Sequence, residues 1–345
     1  LETKDLTPSA PSLYSSLTME RVLVTGGTGF TGSHLVRDLA RDGHSVRVVA
    51  RDAARARELL PPEVEVIAGD VTDPEVVTRA VRGREVVYHL AAAFRVAGIP
   101  DSRYREINFD ATRLLLEAAR AEGVRRFVHC STIGVHGHIE NGPADETWPH
   151  TPGDIYQETK SEAEKFALAF QRQHDFPLAV VRPTAIYGPG DLRLLKLFRA
   201  IAHRRFVMLG KGTVCLHMVH VSDLIAGMRL AAEVDDAIGE AFIIGGDEYI
   251  TLNCLAARIA ALCELPAPKR HLPVWPVYAA GALCEMICVP LRVEPPLYRR
   301  RVTFFTKSRA FRIDKAKRVL GYRPRVDLDS GLAETMNWYR EKGYL

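Results

Sequence analysis

The chain has 345 residues, of which 47% are hydrophobic and 26% charged, and its net charge is +4 at neutral pH. This length suggests about two lobes, and the composition is that of an ordinary soluble globular enzyme. No apolar run approaches the ~18–20 residues of a membrane-spanning helix, and the basic clusters at 299–301 and 312–318 lack the interleaved aromatics of a nucleic-acid groove. We therefore expect neither a membrane span nor a nucleic-acid partner.

Two further expectations come from the six cysteines and from residues 1–18. Six cysteines show no paired spacing and no histidine companions at metal-ligand offsets, which predicts free thiols, no metal site and a reduced, cytoplasmic protein. Residues 1–18 lack the basic start and apolar run of a secretion signal, so we expect a disordered leader or a cloning remnant there.

Strand-like and helix-like segments alternate through the first half of the chain. Apolar runs predict strands at residues 22–25, 45–50, 64–68, 86–90, 127–131 and 178–182. Amphipathic patterns predict helices at residues 30–39, 74–81, 104–122 and 155–174. This alternation predicts an α/β fold with a doubly wound parallel sheet, the Rossmann arrangement, covered by helices on both faces.

The alternation breaks after Pro183. Helical pieces at 192–203, 223–232 and 252–262 mix with short strands at 216–219 and 241–244. We expect a dinucleotide-binding domain over residues 19–182 and a smaller α+β substrate lobe over 183–345, with some interleaving between lobe and sheet. The lobe should close over the carboxyl ends of the strands, where open α/β sheets bind ligands.

A glycine motif follows the first strand and opens the first helix. Gly26 lets the chain turn, Gly29 lets the backbone approach a diphosphate, and Gly32 lets the helix pack closely on the sheet. The amides at the helix N-terminus then receive the phosphates. Because the motif lies between a strand and a helix, it predicts a dinucleotide site, with Thr28 and Phe30 beside the glycines.

Other strand ends complete the predicted cofactor site. Arg51 ends the second strand, where a guanidinium suits a ribose 2′-phosphate, so NADP(H) is favoured; the neighbouring Asp52 leaves NAD(H) open, and Arg51 as an exposed helix-start cation is the alternative. Asp70 and Val71 follow the third strand and are expected at the adenine. The small residues Ala91, Ala92 and Ala93 follow the fourth strand, where they either admit the cofactor or serve close packing.

Tyr156 and Lys160 are one helical turn apart and share a helix face. A nearby ammonium stabilises a phenolate, so we expect Lys160 to lower the pKa of Tyr156, making it an acid/base, and to hold the nicotinamide ribose. Thr132 or Ser131, at the end of the fifth strand, is expected to bind the reacting oxygen. No nucleophile elbow surrounds Ser131, which argues against a hydrolase.

Together these segments resemble the extended short-chain dehydrogenase/reductase family, over residues 19–344. The resemblance rests on TGGTGFTG, GDV, HLAAA, INFDATRLLLEAA, CSTIGVHG, YQETK and RPTAIYGPGD. It implies Thr132 rather than Ser131 as the catalytic hydroxyl and Asn108 as a supporting asparagine. It also implies that residues 183–189, including Pro183 and Thr184, close on the nicotinamide. His136 replaces the tyrosine of the family pattern, which would remove a substrate-facing phenol.

The resemblance leaves two substrate classes open. Some members oxidise or reduce hydrophobic alcohols and ketones, as 3β-hydroxysteroid dehydrogenases and dihydroflavonol reductases do; others act on nucleotide sugars, usually with bound NAD. The apolar stretch 272–290 suits a hydrophobic substrate or core packing, whereas arginines at 292 and 299–301 suit a sugar diphosphate or a solvated face. Ile133 and Gly134 stand where dehydratases carry an acidic pair, which argues against dehydration.

We therefore expect an NAD(P)-dependent oxidoreductase of a secondary alcohol or ketone. A nucleotide-sugar 4-epimerase is the second hypothesis, and a regulatory dinucleotide-binding module without turnover is the third. The family also commonly forms dimers through two helices per subunit, which predicts a homodimer through residues 104–122 and Ile155–His174.

Overall fold

A seven-stranded parallel sheet forms the centre of the computed structural model, which describes residues 19–94, 98–140, 142–288 and 302–345. The strands of this sheet are β1 (Arg21–Thr25), β2 (Ser45–Ala50), β3 (Glu65–Ala68), β4 (Val86–His89), β5 (Arg126–Cys130), β6 (Leu178–Pro183) and β10 (Ala241–Ile244). Their order is β10-β6-β5-β4-β1-β2-β3, and every pairing is parallel. The predicted doubly wound fold is confirmed.

The helices that flank this sheet come mostly from the connections between its strands. They are α1 (Phe30–Arg41), α2 (Ala53–Leu59), α3 (Pro74–Val81), α4 (Asp101–Arg105), α5 (Ala111–Ala121), α6 (Ile155–His174) and α8 (Val221–Glu233). Helix α6 has the predicted bounds. The predicted helix 104–122 instead starts at Asp101 and contains a π-helical turn, Glu106–Asp110, between α4 and α5. The alanine-rich and leucine-rich face of α5 packs inward through Leu115 and Ala119, both fully buried.

The second half of the chain contributes to the large sheet and to a separate cluster. Its remaining elements are β7 (Ala185–Tyr187), α7 (Leu195–Ala202), β8 (Met208–Leu209), β9 (Cys215–His220), β11 (Tyr249–Thr251), α9 (Leu252–Leu262), β12 (His271–Leu272), α10 (Val274–Cys288), α11 (Asp314–Val319) and α12 (Leu328–Glu341). Strands β11, β9 and β7 form a small sheet, and β12 pairs with β8. Much of α7, α9 and α12 packs with β9 in a hydrophobic cluster of its own.

The lobe and the sheet interleave. Strand β10 pairs with β6, and Val221, Leu224 and Met228 of α8 are buried in the cluster that also contains the β1 core. Arg229 on α8 pairs with Asp38 and Asp42 at the end of α1. The boundary at residue 182 stays a prediction, because part of the expected lobe returns to the large sheet.

Helix α10 covers most of the apolar stretch 272–290, which the sequence assigned either to a hydrophobic substrate or to core packing. Trp275 and Tyr278 are 74% and 47% exposed, so core packing does not explain the aromatic residues of this apolar stretch. The arginines at 292 and 299–301, the end of the apolar stretch and the leader at 1–18 lie outside the described residues. The homodimer stays a prediction.

Candidate active site

The end of β5 and the first turn of α6 bring Thr132 and Tyr156 together. Helix α6 begins here because the Asp154 carboxylate caps it, accepting a hydrogen bond from the Gln157 amide at 2.9 Å. The Thr132 hydroxyl accepts from the Gly134 amide at 3.0 Å, which holds its side chain toward the helix. Thr132 Oγ1 and the Cγ of Gln157, the residue after Tyr156, lie 3.2 and 3.3 Å from the point where a Cβ on Gly134 would stand. Thr132 therefore lies beside the first turn of α6, which bears Tyr156.

Burial raises the pKa of Tyr156 above its ordinary value of 10, and the nearby Thr132 hydroxyl offsets this only in part. The direction is opposite to the one predicted from the Tyr156–Lys160 spacing. The physical reason is that desolvation disfavours the phenolate, while the lysine ammonium is engaged elsewhere. Tyr156 is therefore a protonated phenol at neutral pH in the chain alone.

Lys160 lies beneath this pair and is only 2% exposed. Its Nζ donates to the Cys130 carbonyl oxygen at 2.7 Å and lies 3.5 Å from His129 Nε2. Burial lowers the pKa of Lys160 and raises that of the Cys130 thiol to about 11. The ammonium is thus fixed against the end of β5, where it bridges the strand to α6.

Asn108 ties three parts of the site together from within the π-helical turn. Its Oδ1 accepts from the Ala93 amide at 2.7 Å, and its Nδ2 donates to Thr159 Oγ1 at 2.9 Å. Thr159 lies between Tyr156 and Lys160 on α6. Because Asn108 is fully buried and its amide is held on both sides, it sets the spacing between the β4 loop and α6.

Ser131 is committed to a buried ion pair. Its hydroxyl donates to Glu164 Oε2 at 2.5 Å, and Glu164 receives Arg182 Nη2 on its other oxygen at 2.5 Å. Glu164 is fully buried and Arg182 is 4% exposed. Ser131 therefore supports the end of β5, which leaves the neighbouring Thr132 as the hydroxyl next to Tyr156.

His136 does not face the cleft, contrary to the role expected of its position. The ring is fully buried, its Nε2 lies 3.1 Å from Arg182 Nη1, and it packs against Phe311 at 5.8 Å between ring centroids. Burial and the Arg182 charge lower its pKa to about 4, so it is neutral. The short 3₁₀ turn at Ile133–His136 turns this side chain inward.

The glycine loop leaves room for a phosphate. Gly26 has φ of +71°, and a Cβ on Gly32 would lie 2.1 Å from the Gly26 carbonyl oxygen, so the turn and the close helix–strand approach both need glycine. No side chain caps α1 at its N-cap residue Gly29, and Thr28 and Gly29 are exposed. The amides at this helix end are thus open, with Phe30 at its first turn.

Arg51 and Asp52, at the end of β2, differ in whether the backbone already engages the side chain. Arg51 is exposed and makes no hydrogen bond or ion pair within the described part of the chain. The Asp52 carboxylate instead caps α2, accepting from the Arg55 amide at 3.0 Å. The acidic group next to Arg51 is therefore already engaged by the backbone.

The end of β4 lies beside the glycine loop, and β3 ends two strands away from β1 in the same sheet. Asp70 accepts from the Thr72 amide at 3.1 Å and from Arg103 Nη2 at 2.7 Å. Burial raises the pKa of Asp70, but these hydrogen bonds outweigh it and leave the pKa lowered. Val71 is buried. Ala91 is half-buried, Ala92 is exposed and Ala93 is buried. A Cβ on Gly26 would lie 2.7 Å from the Ala91 amide nitrogen, so close packing is one reason for these small residues.

The segment after β6 crosses the start of α1. Pro183 ends β6, and the hydroxyl of the adjacent Thr184 is buried without a hydrogen-bond partner among the described residues. His34 Nε2 lies 2.8 Å from the Pro189 carbonyl oxygen, which fastens this segment to α1. An orphaned hydroxyl of this kind is the feature expected of a group that a ligand completes.

Several residues of the site were not expected from the sequence. The Phe94 ring lies edge-on to Tyr156 at 4.7 Å, and the Arg193 charge lowers the pKa of Tyr156 slightly against the burial effect. Lys307 comes from a distant part of the chain, and its Nζ lies 3.3 Å from the point where a Cβ on Gly153, just before α6, would stand. Only Arg193, two residues after the GPGD segment, had a local signal that could have indicated its place.

The described residues contain neither a metal-binding cluster nor a membrane-spanning helix. No group of three or more His, Cys, Asp or Glu side chains there could hold a metal ion, and all six cysteines are free. None of the helices in the described ranges combines the length and apolar character needed to cross a bilayer.

Comparison with known proteins decides the family. The profile of the NAD dependent epimerase/dehydratase family matches residues 22–245, which include the glycine loop, Thr132, Tyr156 and Lys160. The chain belongs to this family. Its relatives are dehydrogenases and reductases of the extended short-chain type, so this family member is an enzyme of that kind.

Three known proteins illustrate the range of this family. A 3 beta-hydroxysteroid dehydrogenase/Delta 5-->4-isomerase of Mycobacterium tuberculosis is 35% identical over 94% of this chain and 92% of its own. A decarboxylating sterol-4-alpha-carboxylate 3-dehydrogenase of Mus musculus is 30% identical over 92% of this chain and 90% of its own. The structure of MoeE5 in complex with UDP-glucose and NAD has a TM-score of 0.71 and 29% identity, covering 93% of this chain and 99% of that one.

Proposed function

We propose that this enzyme interconverts a secondary alcohol and a ketone with NAD(P), using Tyr156 as the acid/base. The observation that carries the proposal is the position of Thr132 beside the first turn of α6, which bears Tyr156 and, one turn later, the buried Lys160. This pair lies at the carboxyl end of the sheet, where doubly wound folds bind their ligands. The names of the steroid dehydrogenase relatives support a hydrophobic secondary alcohol as the substrate class.

The residues present fit a bound dinucleotide. The uncapped start of α1, the close approach at Gly32 and the orphaned Thr184 hydroxyl are the supporting features. The dinucleotide, when bound, supplies the hydride acceptor or donor. Lys160 would then reach its ribose, Asp70 its adenine, and the backbone at Ala91 to Ala93 would lie along it.

Tyr156 has the protonation state that ketone reduction needs. Because burial raises the pKa of its phenol, Tyr156 holds its proton at neutral pH and can donate it to the developing alkoxide. The Thr132 hydroxyl donates a hydrogen bond to the same oxygen and so stabilises the charge that develops there. Alcohol oxidation runs through the same atoms in reverse and requires Tyr156 to lose its proton first.

Asn108 and Ser131 are positioning residues in this scheme. Asn108 holds Thr159 and so fixes the turn of α6 between Tyr156 and Lys160. Ser131 anchors the end of β5 to Glu164, one residue before Thr132. Neither side chain is needed to move a proton.

For the cofactor we propose NADP(H) over NAD(H). The exposed Arg51 has no partner among the described residues, while the carboxylate of Asp52 caps α2. A guanidinium at this strand end pairs with a 2′-phosphate and gains little from a bare ribose. The related structure that contains NAD keeps NAD(H) as the alternative.

A nucleotide-sugar 4-epimerase is the second candidate, and its supporting observation is the structural likeness to a protein bound to UDP-glucose and NAD. The same Tyr156 and Thr132 would oxidise a sugar hydroxyl and return the hydride to the other face. Such an enzyme is expected to purify with dinucleotide bound and to consume none. A reductase consumes added NADPH in step with its ketone.

The test of the proposed function is the Tyr156→Phe variant, with the half-exposed Tyr249→Phe as the matched control. General acid–base catalysis contributes about 10²- to 10⁴-fold, so we expect a loss of that order in kcat for a ketone panel. Dinucleotide binding, measured by fluorescence titration, should be unchanged in both variants. Full activity of Tyr156→Phe would refute the proposal.

A further inference from the structure

Half of the exposed large hydrophobic side chains in the described ranges lie on one short segment. Ten such side chains are exposed there, and five of them are Leu272, Trp275, Tyr278, Leu283 and Met286. Their exposed fractions run from 47% for Tyr278 to 74% for Trp275. Single exposed apolar residues are ordinary on a protein surface, whereas a contiguous group of them marks a surface that binds something.

Four of these side chains share one face of α10. At 100° per residue, Trp275, Tyr278, Leu283 and Met286 fall within a sector of about 140° around the helix axis. Val277 points to the opposite side and is half-buried. The helix therefore rests on the protein along one side and presents an apolar face to the outside along the other.

The segment that leads into α10 is fixed to the rest of the protein. The Leu272 carbonyl oxygen accepts from the Gly210 amide at 2.8 Å, and the Arg270 carbonyl oxygen accepts from the Met208 amide at 2.9 Å. Val274 Cγ2, at the first residue of the helix, lies 3.1 Å from the point where a Cβ on Gly210 would stand. The pairing of β12 with β8 thus holds the base of α10 and the direction of its exposed face.

The charges near this face suit an anionic partner. Lys269 and Arg270 directly precede β12, and both are exposed. Glu285 is the one acidic residue between positions 265 and 293 of the sequence. Cations close to a bilayer are attracted by the negative potential of its anionic lipids. An apolar face with a cationic edge is therefore complementary to an anionic lipid surface.

The order of side chains along α10 fits a helix that lies in a bilayer interface. Trp275 and Tyr278 stand at the end nearest the two cations, and Leu283 and Met286 stand toward the other end. Trp and Tyr rings favour the depth of the lipid headgroups, where one end of the ring is apolar and the other wet. The 15 residues of α10 span about 22 Å, less than the ~30 Å hydrocarbon core, so the helix fits along the surface and not across it.

We propose that α10 binds the surface of an anionic lipid bilayer, with the apolar face of residues 275–286 among the lipids and Lys269 and Arg270 at the headgroups. The inference does not depend on the proposed function, because it uses no residue of the active site. Interfacial helices bury their apolar face about 5–10 Å into the headgroup and acyl boundary, and attraction to anionic lipids adds to that burial. The alternative occupants of this face are a second copy of the chain and residues 289–301 of the same chain.

The first experiment uses Trp275 of the full-length wild-type chain as the probe. Trp275 is 74% exposed, whereas the other two tryptophans, Trp148 and Trp338, are half-buried. Vesicles of phosphatidylcholine alone are compared with vesicles that also contain phosphatidylserine. We expect the second kind to shift the emission to the blue, and brominated acyl chains in them to quench it. Emission that neither vesicle changes would overturn the inference.

A matched pair of leucines tests the apolar face. Leu283 and Leu192 are each 53% exposed, and only Leu283 lies on α10. Removing one inserted leucine should weaken binding about 10-fold, so Leu283→Ser should bind phosphatidylserine vesicles about that much less tightly in co-sedimentation. Leu192→Ser should bind like the wild type. Equal losses in the two variants would overturn the inference.

A matched pair of charge reversals tests the cationic edge. Each Lys or Arg near an anionic surface contributes about 5-fold in affinity, so Lys269→Glu with Arg270→Glu should weaken binding at least about 25-fold. Arg55→Glu with Arg57→Glu, two exposed positions on α2, changes the net charge equally and should have little effect. Equal weakening by the two reversals would show that net charge alone attracts the chain, which would overturn the assignment to α10.

The alternative occupants give different results without vesicles. A blue shift that grows with protein concentration, together with self-association that Leu283→Ser abolishes, would assign the face to a second copy. Trp275 emission that acrylamide fails to quench would show that the chain itself already covers the helix. Either result overturns the inference. Thermal melting identifies any variant that fails to fold, in which case the quenching of the wild-type chain decides.

Discussion

The buried Glu164 offers the sharpest stability prediction. Its carboxylate accepts from Arg182 Nε at 3.0 Å and Nη2 at 2.5 Å and from Ser131 Oγ at 2.5 Å. Glu164→Gln removes the charge and leaves the 4% exposed Arg182 without a counter-ion. Breaking one partner of a buried ion pair costs about 3–5 kcal/mol. We expect the free energy of unfolding, measured in urea at pH 7, to fall by about that amount.

The matched control lies on the same helix. Glu162 pairs with Arg105 at the surface, where both side chains are about half exposed. An exposed pair is worth about 0–1 kcal/mol, so Glu162→Gln should unfold at nearly the wild-type urea concentration. Equal effects of the two substitutions would show that the Glu164 pair does not hold the end of β5, and the reasoning would fail.

The ion pair of Glu164 and Arg182 also predicts how the free energy of unfolding depends on pH. Burial raises the pKa of Glu164, but the Arg182 charge and the hydrogen bonds outweigh it, so the pKa in the folded state is lowered. A lowered pKa gives stability that is present above the unfolded value, about 4.3, and is lost as the pH falls through the folded value. The difference between the wild type and Glu164→Gln should therefore be constant near neutrality and shrink below about pH 4.

Two further predictions concern the cofactor. Gly32→Ala would place a Cβ 2.1 Å from the Gly26 carbonyl oxygen, so we expect the loop to shift and dinucleotide affinity, measured by fluorescence titration, to fall at least about 10-fold; wild-type affinity would contradict the phosphate role. Arg51→Ala should lower kcat/KM for NADPH about 10- to 100-fold and leave that for NADH nearly unchanged. Equal losses with both cofactors would place Arg51 outside the 2′-phosphate site.

The local parts of the fold followed from the sequence because they depend on neighbouring residues. Helix α6 has its predicted bounds, since Asp154 caps one end and the apolar spacing runs through to the other. The turn at Gly26 and the close approach at Gly32 were likewise expected from the motif. Strand β10 was predicted as a strand, but its place beside β6 depends on a long-range pairing that no local pattern encodes.

The site was less predictable where its chemistry depends on burial. The spacing of Tyr156 and Lys160 is correct, yet burial raises the tyrosine pKa and Lys160 donates to the Cys130 carbonyl instead. His136 replaces the tyrosine of the family pattern, and no local signal indicated that the turn directs its ring into the core against Arg182. Lys307 could not be placed from the sequence, because only the tertiary fold brings it beside Gly153 at the start of α6.

The most direct test of the central claim is the pH dependence of kcat/KM for alcohol oxidation. If Tyr156 must lose its proton before it accepts one from the alcohol, its raised pKa predicts a rise of about tenfold per pH unit from pH 6 to 9. Ketone reduction should stay flat over the same range, and Tyr156→Phe should abolish the rise. A wild-type oxidation rate that is independent of pH would contradict the assignment of Tyr156 as the acid/base.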